Sequence, residues 1–124
     1  MGYIHETRSS DRQERSDAFT QNAMFKEEFW ALKKTCSSES DVERLMELVK
    51  GINRTKWITP WCSSFELWVE IIDEDEEDGW VKGEQFMVVS CFRDEDNDLI
   101  LECSNNEGSC TLCGDCYGEL WKVL

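Results

Sequence analysis

Four cysteines near the end of the chain, Cys103, Cys110, Cys113 and Cys116, follow the spacing C-x6-C-x2-C-x2-C. Thiolates are soft ligands, and two of them separated by two residues can reach one ion from a tight loop. Gly108, Gly114 and Gly118 supply the backbone freedom such a loop needs. Four soft ligands so close in sequence fit a structural zinc ion that staples the end of one strand to the start of the next. Four protein ligands leave no open coordination position, so the ion would build rather than catalyse.

Two other readings of the cysteines stand beside that one. The chain has seven cysteines, an odd number, and its opening residues lack the apolar core of a secretory signal, so free or partly paired thiols are expected as readily as metal. Cys110-x2-Cys113-x2-Cys116 also resembles the first three ligands of a ferredoxin-type run, which implies an iron–sulfur or thiol redox centre. Tyr117-Gly118-Glu119-Leu120 stands where that run continues with Cys-Pro.

The second group able to do chemistry is acidic. From Phe65 to Ile72, Phe65, Leu67, Val69 and Ile71 alternate with Glu66, Trp68, Glu70 and Ile72. This is the period of a strand with one buried face. Six acids follow without interruption, Asp73, Glu74, Asp75, Glu76, Glu77 and Asp78, then Gly79 and Trp80. Six like charges cannot be packed, so the strand ends there in solvent. Alternate residues of a strand repeat at roughly 6.7 Å. Glu66 and Glu70, continued by the acid run and by Asp94 to Asp98, would then imitate the phosphates of a nucleic acid. Trp68 and Trp80 would supply apolar anchors amid the charge. The plain alternative is a solvated sheet face with an acidic hairpin.

Catalytic constellations are missing from the sequence. The single histidine is His5, in what reads as a tail, so a Cys–His pair is not expected. Cys36, Cys62 and Cys91 lie in apolar surroundings or beside Trp and read as small core residues. The chain contains no Gly-x-Ser-x-Gly, Walker loop or His-Glu-x-x-His. The expectation is a binding protein, not an enzyme.

The elements that position these residues follow from periodicity. Residues 1–9 read as a flexible tail and 10–124 as one domain. A helix is predicted from about Asp11 to Lys34, carrying two apolar stripes. One holds Ala18, Phe25, Phe29 and Leu32, the other Phe19, Ala23 and Trp30, and together they form a broad face that covers a sheet. A second helix, about Asp41 to Lys50, opens on the capping box Ser40-Asp41-Val42-Glu43, buries Val42, Leu45, Met46, Val49 and Ile52, and stops at Gly51. Trp57 to Cys62, around the one proline, reads as a buried linker. Strands are predicted over Phe65–Ile72, Glu84–Arg93, Leu99–Cys103 and Gly118–Leu124, with the second of these central because both its faces are apolar. The fold class is α+β: an N-terminal helical hairpin packed on an antiparallel sheet of about four strands.

Charge divides the chain. Residues 1–60 hold ten basic and ten acidic side chains, while residues 61–124 hold three basic and seventeen acidic ones, which is the whole net charge of −14. The helical part, 10–56, is neutral and the sheet part, 57–124, is strongly acidic. Phosphate is repelled by the second half, so nucleic acid and anionic lipid are not expected to bind it directly, and a protein with a basic surface is. Nothing in the sequence resembles a membrane span, and the chain is expected inside the cell.

Leu32-Lys33-Lys34-Thr35-Cys36 resembles the Leu-x3-Cys core of the helical box by which ubiquitin-ligase receptors and some viral adaptors dock on Elongin. Ala31 stands where that box has Ser, Thr or Pro, and Ser40 stands at its later apolar position. The functional expectation is an acidic inhibitor or modulator that docks on a basic, nucleic-acid-binding-type surface, as small acidic viral proteins do to host machinery. Its alternatives are a zinc-stapled adaptor working through the helical face, such as a ubiquitin-ligase adaptor, and a redox protein.

Overall fold

The computed structural model describes residues 2–55 and 65–124, with side chains at Gln13 and from Ser16 onward. Two helices come first, α1 (Gly2–Thr35) and α2 (Glu39–Thr55). Five antiparallel strands follow: β1 (Trp68–Ile71), β2 (Gln85–Arg93), β3 (Leu99–Asn105), β4 (Gly108–Cys113) and β5 (Trp121–Val123). Their order across the sheet is β4-β3-β2-β1-β5, which makes β2 central as expected. The class is α+β with the helices N-terminal. The sheet has one strand more than the four or so predicted, because Gly108–Cys113 is a strand and not a loop. Trp57, Trp61 and Cys62 lie outside the described residues.

Helix α2 starts earlier and ends later than its predicted bounds. Its N-terminal turn is closed by Ser38-Glu39-Ser40-Asp41, where the Asp41 carboxylate reaches back to accept a hydrogen bond from the Ser37 N–H at 3.0 Å. A carboxylate in the first turn also suits the positive end of the helix dipole. Gly51 does not stop the helix, which runs on to Thr55. It serves instead as the point of closest approach to α1, where the Phe25 ring occupies the space of the missing side chain. Val42, Leu45, Met46, Val49 and Ile52 are all buried, as their spacing predicts.

Helix α1 begins at Gly2, ahead of the predicted start near Asp11, with neither proline nor glycine between Tyr3 and Thr35 to interrupt it. Only one of its two apolar stripes is used. Phe29 is buried and Phe25 and Leu32 are partly so, whereas Phe19 and Trp30 stay 59% and 50% exposed. The reason is size: α2 has 17 residues against 34 in α1 and covers one flank of it. On that flank Asn22 is buried and donates to the Ile52 carbonyl at 3.1 Å and to Thr55 Oγ1 at 2.9 Å.

The core lies between α2 and one face of the sheet. Leu67, Val69 and Ile71, together with Leu99, Leu101, Leu112 and Trp121, are essentially inaccessible to solvent. Each such side chain contributes about 1.5–3 kcal/mol relative to exposure. Trp121 also satisfies its indole, donating to the Cys113 carbonyl at 2.9 Å. Strict alternation along β2 fails midway. Register with β3 shifts between Val88 and Ser90, a bulge that adds one residue to β2. Cys91 therefore joins Phe86 and Val88 on the core side, and Phe92 is 46% exposed on the other, where simple alternation would have set it with Phe86 and Val88. No helix among the described residues is long and apolar enough to cross a membrane.

Candidate functional site

The face of the sheet away from the helices carries the predicted strand residues. With Leu67, Val69 and Ile71 buried, Glu66, Trp68 and Glu70 project to the opposite side. Trp68 is half-buried there, and its indole N–H donates to Glu66 Oε2 at 3.0 Å, so anchor and charge are tied together. The neighbours are less acidic than the sequence implied. Trp68 lies opposite Met87, and Glu70 lies opposite Gln85 on one side and Lys122 on the other. Phe92 and Ile100 are a cross-strand pair, and Ser90 donates to Glu102 Oε2 at 3.0 Å. The face therefore carries two apolar pairs, Trp68 with Met87 and Phe92 with Ile100, with Ser90 and Glu102 between them and Glu66 and Glu70 at the Trp68 end. The apolar part went unseen because the bulge in β2 is what turns Phe92 outward.

The acid run does not continue the strand in a straight row. Asp75 and Trp80 pair through two backbone hydrogen bonds of 3.1 and 2.8 Å, closing a small hairpin. Inside it Asp75 Oδ1 accepts from the Glu77 and Asp78 N–H groups. Asp73, Glu74, Glu76, Glu77 and Asp78 are exposed. Trp80 is not the free anchor predicted, since its ring packs against the core cluster. The hairpin and Glu84 border a cleft of roughly 330 Å³ that reaches Glu107 and Cys110. Asp94 to Asp98 sit at the far end of β2, whose nine residues span about 30 Å. The two acid runs thus occupy opposite ends of the sheet.

That far turn is built on Arg93, a residue sequence reasoning passed over. Its guanidinium forks onto Glu43 of α2, with Nε donating to Oε2 at 2.9 Å and Nη2 to Oε1 at 3.4 Å, and Nη1 donates to the Asn97 carbonyl at 3.1 Å. Asp94 Oδ1 accepts from the Asp96 and Asp98 N–H groups, and carboxylate oxygens of Asp94, Asp96 and Asp98 lie within 4.8 Å of one another. Repulsion from Asp115, then partial burial, then Asp94 and Asp96 push the Asp98 carboxyl up from its ordinary range. Glu39 Oε2 is buried without a hydrogen bond, with Arg93 Nη1 at 3.9 Å.

The four clustered cysteines are dispersed over β3, β4 and the turn that follows. Cys103 of β3 faces Cys110 of β4 directly, both on the core side with Leu101 and Leu112. Cys113 is three residues beyond Cys110. In an extended strand an odd separation reverses the face, so Cys113 stands opposite Ile100 on the outer side. Cys116 lies beyond, in the short 3-10 turn Gly114–Cys116. Among the described residues no three of these sulfurs lie within 4.8 Å of one another. Burial, with the neighbouring Cys110, lifts the Cys103 thiol from 9.0 to about 12. Cys110 is also raised, first by burial and then by Glu84. Both groups therefore rest as thiols at neutral pH and must give up a proton before they can ligate a metal or attack a disulfide, which slows either step without forbidding it. Elsewhere Tyr117 donates its hydroxyl towards the Cys36 carbonyl at 3.3 Å and Sγ at 3.4 Å. Burial and that bond raise Tyr117 to about 12.

Comparison with models of known protein families, with curated proteins and with solved structures finds no match to this chain.

Proposed function

We propose that the chain is a non-catalytic acidic protein-binding module, an inhibitor or modulator that sets its open sheet face on a basic, nucleic-acid-binding-type surface of a partner protein. The setting is intracellular, in the manner of viral proteins that modulate host machinery. One observation carries the reading: Glu66, Trp68 and Glu70 face away from the helices, on the same side of the sheet as Met87, Phe92 and Ile100, in a half-chain with three cations and seventeen carboxylates. Apolar side chains with charged and polar neighbours are the anatomy of a protein interface. The carboxylates steer a basic partner in, and the apolar side chains, Trp68 first, supply the residence time. Affinity capture from cell extract tests it, run in parallel with wild type and the Glu66→Lys/Glu70→Lys variant. Wild type should retain a basic nucleic-acid-binding protein that duplex DNA or added salt elutes. Equal retention by the reversed-charge variant would sink the reading.

A second reading has its own observation. Helix α1 leaves Phe19 59% and Trp30 50% exposed on one flank and Met24 63% exposed on another, where Met24, Phe25 and Ala31 line a shallow groove. An adaptor that recruits a protein through this helical face would use these side chains, and its binding would survive salt and be lost in Trp30→Ala. The zinc staple proposed with it, on Cys103, Cys110, Cys113 and Cys116, requires β4 to leave its register with β3. Metal analysis of the purified chain tests that separately.

A further inference from the structure

We propose that Cys103 and Cys110 form a reversible dithiol–disulfide site in the β3–β4 hairpin, oxidised by exchange with small disulfides that carry no negative charge. The two residues are direct partners in the ladder. Directly opposed antiparallel residues have Cα atoms about 4.5–5.5 Å apart, inside the span a disulfide bridges. Register is pinned at the turn, where Asn105 Oδ1 accepts from the Glu107 N–H at 2.9 Å and the Gly108 N–H at 3.1 Å. The hairpin therefore holds the two side chains side by side on the same face of the ladder.

Access separates the roles. Cys103 is 2% exposed, while Cys110 is only partly buried and borders the cleft beneath the acid hairpin. The Cys110 thiolate attacks one sulfur of the reagent, the reagent S–S bond breaks, and one half leaves as a thiol after taking up a proton. The Cys103 thiolate then attacks the Cys110 sulfur and expels the second half, which takes up the other proton. One protein dithiol and one small disulfide become one protein disulfide and two small thiols, so no further oxidant is needed. Asp78, Glu84 and Glu107 around the cleft repel an anionic reagent and attract a cationic one.

The test uses the reduced full chain, with equal concentrations of cystamine, a dication, or oxidised glutathione, an anion. Thiols are trapped by alkylation and linked peptides are mapped by mass. Cystamine should remove two hydrogens per chain and link Cys103 to Cys110, about tenfold faster than glutathione at low salt, with the gap closing as salt is added. In Cys103→Ser, confirmed folded by circular dichroism, the half-reagent adduct should persist on Cys110. A link confined to Cys113 and Cys116, a wild-type Cys110 adduct that never resolves, or equal rates for the two reagents would overturn the proposal. The readout is independent of any docking partner.

Discussion

The ring of Phe25 occupies the space where Gly51 has no side chain: a Cβ on Gly51 would stand 2.9 Å from its Cε2 and 3.0 Å from its Cδ2. Alanine normally improves a helix interior by about 1 kcal/mol over glycine, but here it must push an aromatic ring off the contact between α1 and α2, a cost of about 1–3 kcal/mol. Gly51→Ala should therefore destabilise the chain by about 1 kcal/mol net in urea melts. In a Phe25→Ala background the same change should become stabilising by about as much. Failure of the sign to reverse would mean that the ring is not what limits the approach.

Asn22 is the polar tie on the buried flank of α1, bonded to the Ile52 carbonyl and to Thr55. Thr55 keeps its own bond to the Gly51 carbonyl, so truncating Asn22 removes two bonds without stranding the hydroxyl. Asn22→Ala should lower stability by about 1–2 kcal/mol. Faster amide exchange should be confined to the end of α2 around Ile52 to Thr55. Exchange that spreads evenly over the sheet would argue that Asn22 has no local role.

Alkaline pH should loosen the fold. Cys103 and Tyr117 are both raised to about 12 in the folded chain, from 9.0 and 10.0. An acid group with a raised folded pKa stabilises fully below its unfolded pKa, and that stability is lost as pH rises towards the folded value. Midpoints of urea unfolding should therefore fall between pH 9 and 12, and Cys103→Ala should flatten the lower part of that decline. A midpoint that stays level through this range would contradict the burial assigned to both groups.

Trp68 and the carboxylates beside it should fail differently in binding. Trp68→Ala removes the apolar anchor and should cost about 2 kcal/mol in affinity, mostly as faster dissociation. Glu66→Lys/Glu70→Lys should act mainly on the association rate and on its salt dependence. Neither substitution lies in the core, so melting temperatures should hardly move. Surface plasmon resonance on the captured basic partner separates the two rates.

The order of elements was legible in the sequence because local periodicity decided it. Val42, Leu45, Met46, Val49 and Ile52 sit inside as their helical spacing requires, and Leu67, Val69 and Ile71 as strand alternation requires. What stayed hidden depends on partners far along the chain. Gly51 looked like a stop signal, and only the ring of Phe25 explains its place mid-helix. Cys110-x2-Cys113 looked like a metal knuckle, yet pairing with β3 extends it and sends the two sulfurs to opposite faces. A signal existed there, since an odd spacing within any extended segment forbids a shared face. The fork of Arg93 onto Glu43 joins residues fifty apart, and nothing local announces it.

The extra residue in β2 acts like a frameshift written into a strand. Upstream of Val89 the odd positions look out and the even ones in; downstream the rule is inverted. Running β2 as one unbroken frame with all nine residues kept would carry Phe92 under the helices and lift Cys91 and Arg93 to the open side, away from Glu43, whereas excising Val89 would remove the kink and leave both faces as they are. The break in frame thus decides both what the exposed wall of the molecule is made of and whether its sheet is clamped to its second helix, so the two properties cannot be changed independently.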